Sequence, residues 1–317
     1  MGVTVGCCSD VGRVRTINED SVGLRTFGAD GPVLIVVADG IGGGRHGDAA
    51  SASAVRTIED AVARSIGASP DDLADERASA LLAAALTEAN AAVRRLARDL
   101  GAPGGAGATC EAALVWQGRC VLRHVGDSRS YLLSDGRLTQ LTHDHACVQE
   151  LPRRRRSRFG DDAEPRLGLV LTRALGLSTA VETDERRLTL ARGDTLLLCT
   201  DGLTAMLADR EIETILGAEA DAQAASEALV REANVRGGVD NATAVVVRCE
   251  GFEPRGLGQR GAAACGHRAT RRAGFLGSLL VLAAAVGILL WFMLRGWAGE
   301  RGGPMGRSAA ATGGQAR

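Results

Sequence analysis

Along the first 250 residues, short apolar runs alternate with longer alanine-rich stretches. Val33 to Ala38, Glu111 to Trp116, Cys120 to Val125, Thr195 to Cys199 and Thr243 to Arg248 are brief and bounded by Gly or Asp, which predicts strands. Ala49 to Ile66, Asp71 to Leu100 and Asp221 to Val235 are long and rich in alanine, which predicts helices. Strands come in clusters and helices in long blocks, so the pattern predicts an α+β layered sandwich rather than an alternating parallel sheet. No internal repeat is visible.

The pattern changes at residue 251. Residues 251–272 are rich in Gly, Ala and Arg with little apolar periodicity, and are expected to form a flexible juxtamembrane linker. Ala273 to Leu294 carries no charge and is dominated by Leu, Val, Ala, Gly and Phe. At about 1.5 Å of rise per residue this run is long enough to cross a hydrocarbon core of roughly 30 Å, which predicts a transmembrane helix over 273–295. Trp291 and Trp297 stand where interfacial aromatics belong. Arg255, Arg260, Arg268, Arg271 and Arg272 precede the span, whereas Arg295, Arg301 and Arg307 follow it, a bias that places the N-terminal side inside. The expected arrangement is a single pass through the inner (cytoplasmic) membrane, with a cytoplasmic domain over 1–250 and a disordered tail over 296–317.

With 317 residues and 45% hydrophobic content, the chain has enough apolar mass for a substantial core. Its formal net charge of -1 gives no reason to expect nucleic acid as a partner. All 37 basic side chains are arginine, which removes Walker-type nucleotide sites, Schiff-base chemistry and ordinary kinase sites, each of which needs a lysine. Cys7, Cys8, Cys110, Cys120, Cys147, Cys199, Cys249 and Cys265 show neither C-x-x-C spacing nor a short Cys/His cluster. Reduced thiols are the expected state.

Candidate chemistry lies in the carboxylates. Asn18-Glu19-Asp20, Asp39-Gly40-Ile41-Gly42-Gly43, Thr200-Asp201-Gly202 and Gly238-Val239-Asp240-Asn241 each put an aspartate at the end of an apolar strand or at a Gly-rich turn. A strand end followed by glycine fixes the carboxylate at a sheet edge and lets a backbone carbonyl approach a ligand, as a hard cation requires. Each Asp-Gly pair alone reads as an ordinary turn. The set says more than its members.

In six collinear segments the chain resembles the PP2C (PPM) phosphatases of bacterial type. They are SDVGRVRTINEDS (9–21), VADGIGG (37–43), GDSRSYL (126–132), LTRALG (171–176), GDTLLLCTDGL (193–203) and GGVDNAT (237–243). The resemblance covers residues 3–248 and implies an α/β-β/α four-layer sandwich, two antiparallel sheets flanked by helices, with two Mn²⁺ or Mg²⁺ ions at one end. By match to the motifs, Asp39 would bridge both ions, Gly40 would give its carbonyl to one, and Asp201 with Asp240 would hold the other. Asp127 would share a third, weaker ion with Asp201. Glu19 and Asp20 would orient water, and Arg15 would clamp the substrate phosphate through a planar guanidinium able to hold two oxygens at once. The implied reaction is direct hydrolysis of phosphoserine and phosphothreonine.

The chain also departs from the family pattern. Gly44 stands where relatives carry a histidine, His46 lies two residues on, and Asp48 replaces a glutamate. Between Leu151 and Leu167, where relatives have an acidic flap, this chain has Pro152 followed by Arg153 to Arg156 and Arg158. That run reads either as solvated surface or as a site for an acidic or phosphorylated partner or anionic lipid. Cys147 and Arg153 have the C-x5-R spacing of cysteine-dependent phosphatases, but Val-Gln-Glu-Leu-Pro between them lacks glycine, and Pro152 lacks an N–H. Thiol chemistry is therefore not expected.

Two functions of different class fit these readings. The first is an active phosphoprotein phosphatase opposing a bacterial Ser/Thr kinase, its partners being phosphorylated proteins, that kinase or its substrates, and the membrane. The alternative is a catalytically weak, membrane-tethered phosphoprotein-binding module on the same fold. All metal-ligand positions are filled, which favours the enzyme.

Overall fold

The computed structural model describes residues 2–28, 31–42, 46–66, 73–101, 105–146 and 170–250. Met1–Arg255 form one unit of the chain. Its strands are β1 (Val3–Asp10), β2 (Asp20–Thr26), β3 (Val33–Ile41), β4 (Gly107–Ala108), β5 (Cys110–Trp116), β6 (Arg119–Val125), β7 (Arg129–Ser134), β8 (Arg137–Gln140), β9 (Asp184–Thr189), β10 (Thr195–Cys199) and β11 (Ala242–Cys249). Its helices are α1 (Gly47–Ile66), α2 (Asp75–Asp99), α3 (Asp201–Thr204), α4 (Asp209–Ala218) and α5 (Ala222–Val235).

The strands form two antiparallel sheets. One has the order β1-β11-β10-β7-β8; the other has β2-β3-β5-β6-β9, with β4 paired to β3. Alternation along β3 shows how the layers stack, because successive side chains point to opposite faces. Leu34, Val36 and Ala38 pack among α1 and α2, while Val33, Ile35 and Val37 pack between the sheets against Leu196, Leu198, Val245 and Val247. On the far side, Ile212 and Leu216 of α4 and Ala225 and Leu229 of α5 cover Tyr131, Leu197, Ala244 and Val246. The result is the layered α+β sandwich that the pattern predicts, in the α/β-β/α arrangement that the resemblance implies. The β7–β8 hairpin turns at Asp135-Gly136, both with positive φ (49° and 74°), as a two-residue I′ turn demands.

Among the described residues no helix is long and apolar enough to cross a membrane. The linker 251–272, the span 273–295, the tail 296–317, Cys147 and the Arg153 to Arg158 run lie outside the described residues. The cysteines Cys7, Cys8, Cys110, Cys120, Cys199 and Cys249 are unbridged.

Candidate metal centre

Chain direction brings the acidic residues to one end of the sandwich. Asp20 opens β2 directly across from Asp39, near the end of β3. Asp201 follows the last residue of β10, Asp240 precedes the first residue of β11, and those two strands are antiparallel partners. Asp127 follows β6 through Gly126, whose φ of 114° few side chains adopt. Antiparallel neighbours thus start and stop at the same edge, and five aspartates meet there.

Asp20 and Asp39 are held by threonine hydroxyls. Asp20 Oδ2 accepts from the Thr200 hydroxyl (2.9 Å) and the Thr243 hydroxyl (2.6 Å). Thr243 in turn shares a 2.7 Å hydrogen bond with Ser9, which accepts from the Asn18 amide at 2.9 Å. The Asp39 N–H donates to Thr109 Oγ1 at 2.9 Å, and the Gly40 N–H donates to the Glu19 carbonyl at 3.1 Å. That same carbonyl accepts from buried Ser51 at 2.6 Å, so Glu19 and Gly40 are clamped together. A Cβ at Gly40 would overlap the Gly47 carbonyl, so only glycine permits this approach.

Asn241 is the hub of the far side. Its Oδ1 accepts the Glu19 N–H at 2.9 Å, while its Nδ2 donates to the carbonyls of Val11 (2.9 Å) and Ile17 (3.0 Å). The loop carrying Arg15 and Glu19 is thereby tied to the start of β11. Arg15 Nη2 lies 2.7 Å from Asp240 Oδ2, with about half of its side chain exposed.

The electrostatics are unfavourable for carboxylates alone. Burial, then the charges of Asp20, Asp201 and Asp127, push Asp39 well above the usual carboxylate range. Burial lifts Asp20 to about 7, with Asp201 and Asp240 adding to it and the Thr243 and Thr200 hydroxyls working against it. Burial, with Asp201 and Asp144, raises Asp127 to about 7 as well. Asp201 is raised by burial and by Asp240.

These residues fit a hard divalent cation. Asp20 Oδ1 and Asp201 Oδ1 are buried oxygens without a hydrogen-bond partner, and a buried acceptor is rarely left so. The donor set is all oxygen, the preference of Mg²⁺ and Mn²⁺ rather than of zinc. Among the described residues no three His, Cys, Asp or Glu groups are drawn into a chelating cage. A small hard cation that retains several waters needs only one or two carboxylates directly.

All eight residues singled out from the sequence, Arg15, Glu19, Asp20, Asp39, Gly40, Asp127, Asp201 and Asp240, therefore belong to one electrostatic and hydrogen-bonded assembly. Arg15 sits on Asp240 rather than standing free. Asp48 lies in the first turn of α1, and His46 precedes it with φ of 74°. The sequence assigns no role to the supporting residues Ser9, Ser51, Thr109, Thr200, Asn241 and Thr243; Ser9, Thr200, Asn241 and Thr243 stand inside the six collinear segments, whereas Ser51 and Thr109 lie outside them.

A family model for protein phosphatase 2C matches residues 13–234. The serine/threonine phosphatase stp of Listeria monocytogenes is 37% identical over 239 residues, 75% of this chain and 93% of that protein. The crystal structure of the Mycobacterium tuberculosis serine/threonine phosphatase PstP/Ppp aligns with a TM-score of 0.66 at 32% identity, covering 78% of this chain and 99% of that one. The PstP catalytic domain in complex with two manganese ions aligns at 33% identity and a TM-score of 0.64, covering 78% and 97%.

Proposed function

The chain belongs to the protein phosphatase 2C family and is a metal-dependent serine/threonine phosphatase, and from that premise we propose which of its residues do the work. Asp39, the Gly40 carbonyl, Asp201 and Asp240 would hold two ions, Mn²⁺ or Mg²⁺, with Asp127 and Asp201 offering a third, weaker position. The ions, when bound, supply a water acidified towards neutrality and positive charge opposite the phosphoryl oxygens. Asp20 has one oxygen fixed by two threonine hydroxyls, so its free Oδ1 and the Glu19 carboxylate orient the attacking water. Arg15, which lies 2.7 Å from Asp240 Oδ2, would turn its two-pronged guanidinium to the substrate phosphate where Asp240 is committed to an ion. The observation that carries this reading is the pair of orphaned buried oxygens on Asp20 and Asp201, inside a cluster of carboxylates that burial and repulsion leave reluctant to ionise.

Full-length protein in detergent should hydrolyse a phosphothreonine peptide with Mn²⁺ present, lose that activity to a chelator and regain it with fresh Mn²⁺. Turnover that ignores the chelator would end the metal assignment.

We further propose that residues 273–295 anchor this domain, through 251–272, on the cytoplasmic face of the membrane, where it meets a bacterial Ser/Thr kinase or that kinase's substrates. Support comes from the uncharged run and from the arginines that precede it. A helix of this kind raises local concentration and adds nothing to the chemistry. Removing residues 270–317 should move the protein from the membrane fraction to the supernatant with its activity kept; a truncated protein that still sediments with membranes refutes the anchor.

A further inference from the structure

Eight large apolar side chains are exposed among the described residues, and four of them, Val14, Ile17, Val235 and Val239, lie on the two segments that carry Arg15 and Asp240. Scattered single exposures need no explanation, whereas clustering beside a reactive centre does. Val14 is 65%, Ile17 55% and Val239 47% exposed.

Hydrogen bonds join these residues into one rim. The Arg13 N–H donates to the Gly238 carbonyl at 2.7 Å, so the backbones leading into Val14 and Val239 run side by side. One residue further on, Arg15 meets Asp240 at 2.7 Å, and Ile17 is held by its carbonyl to the Asn241 amide at 3.0 Å. Val14 and Val239 therefore each immediately precede a member of the ion pair.

Resting on the phosphatase reading given above, we propose that Val14, Ile17 and Val239 form an apolar ledge that receives an apolar side chain flanking the phosphorylated residue of a protein substrate. The occupant follows from position. A phosphate gripped by Arg15 leaves the substrate backbone about 3.3–3.6 Å per residue on either side, so the first few neighbours lie over this rim. The three side chains are themselves uncharged and stand among Arg13, Arg15 and Asp240, so they offer apolar contact beside the charges that hold the phosphate. Apolar contact made there adds affinity for the peptide without touching the reacting atoms, and so acts on the choice of substrate.

The test uses the full-length protein with Mn²⁺ and three substrates: a phosphothreonine peptide flanked by Ile and Val, the same peptide flanked by Ser and Gly, and a small aryl phosphate. The unaltered protein should prefer the apolar-flanked peptide by about tenfold in kcat/KM, mostly through KM. Val14→Ser with Val239→Ser should erase that preference while aryl phosphate turnover stays within about twofold, and Ile17→Ser should do so in part. Equal kcat/KM for both peptides with the unaltered protein overturns the ledge, as does a preference that survives the substitutions. A loss on all three substrates alike also overturns it, since the residues would then serve the centre itself. Absence of any metal-dependent turnover by the unaltered protein would instead strike at the phosphatase reading.

Discussion

Asp39→Asn is expected to lower kcat by at least about a thousandfold, because a carboxylate proposed to hold the ions would contribute several kcal/mol to the reaction they serve. The same substitution should make the metal-free domain more stable at neutral pH. Asp20 and Asp127 are lifted to about 7 by burial and neighbouring charge, and Asp39 and Asp201 are raised for the same reasons. Unfolded aspartates give up their protons near pH 4, so between about 4 and 7 the folded chain binds more protons than the unfolded one. Stability is then fully present below pH 4 and falls as pH rises through the folded values. In chelator, the parent Tm should decline from pH 5 to pH 8, and Asp39→Asn, with one carboxylate fewer, should decline less and lie higher at pH 8.

Mn²⁺ should reverse the order. At a hundredfold excess over its dissociation constant a bound ion adds about 2.7 kcal/mol, which for a domain of this size is roughly 5–10 °C in Tm. The parent should show that rise and lose most of its pH dependence, since a cation inverts the preference of its ligands for protons. Asp39→Asn should show little of either. An equal Mn²⁺-induced shift in both proteins would remove Asp39 from the centre, whatever the activity assay says.

The sequence carried the catalytic edge better than the scaffold that holds it. Aspartate beside glycine at the end of an apolar run is a local signal, and the six collinear segments added order to it. The strand Thr195–Cys199 is legible residue for residue because all five positions are buried and four of them, Leu196 to Cys199, are apolar. The edge strand β9, Asp-Glu-Arg-Arg-Leu-Thr, was invisible because an edge tolerates charge on both faces, and β1 was hidden by its Gly-Cys-Cys centre and partial exposure. The Asp135-Gly136 hairpin turn was there to be read but is a common dipeptide. Thr200, Thr243, Ser9 and Asn241 act through contacts between segments as distant in sequence as residues 19 and 241, and small polar residues have no periodicity that betrays such a contact. In the sequence Glu111 reads as the first residue of an apolar strand, and nothing local distinguishes a buried partner from a solvated end.

That residue supports the second large effect. Glu111 and His124 face each other across β5 and β6, both almost wholly buried, and are joined through His124 Nδ1 and Glu111 Oε1. The other Glu111 oxygen accepts from the Ser130 hydroxyl at 2.6 Å, and Ser130 belongs to the opposite sheet. Glu111 pairs with Val37, two residues before Asp39, and Ser130 pairs with Leu198, three before Asp201. The hydrogen bond thus joins the sheets just beneath Asp39 and Asp201, two of the carboxylates proposed to hold the ions. Glu111→Ala should cost about 3–5 kcal/mol, because it leaves a buried imidazole and a buried hydroxyl without their acceptor. Burial opposes charge on His124, but Glu111's charge and hydrogen bond outweigh it and raise its pKa. The pair's contribution is therefore complete below His124's unfolded value near 6.5 and fades as pH rises through the folded one, so the loss should be larger at pH 6 than at pH 9. Denaturant unfolding in chelator measures this directly, and Ser130→Ala in the same background gives the coupling. A penalty under about 1 kcal/mol, or independent effects of the two substitutions, would mean that the sheets keep their spacing by apolar packing alone. A clear coupling, together with weaker Mn²⁺ binding in Glu111→Ala, would mean that the geometry of the metal edge is set from within the core.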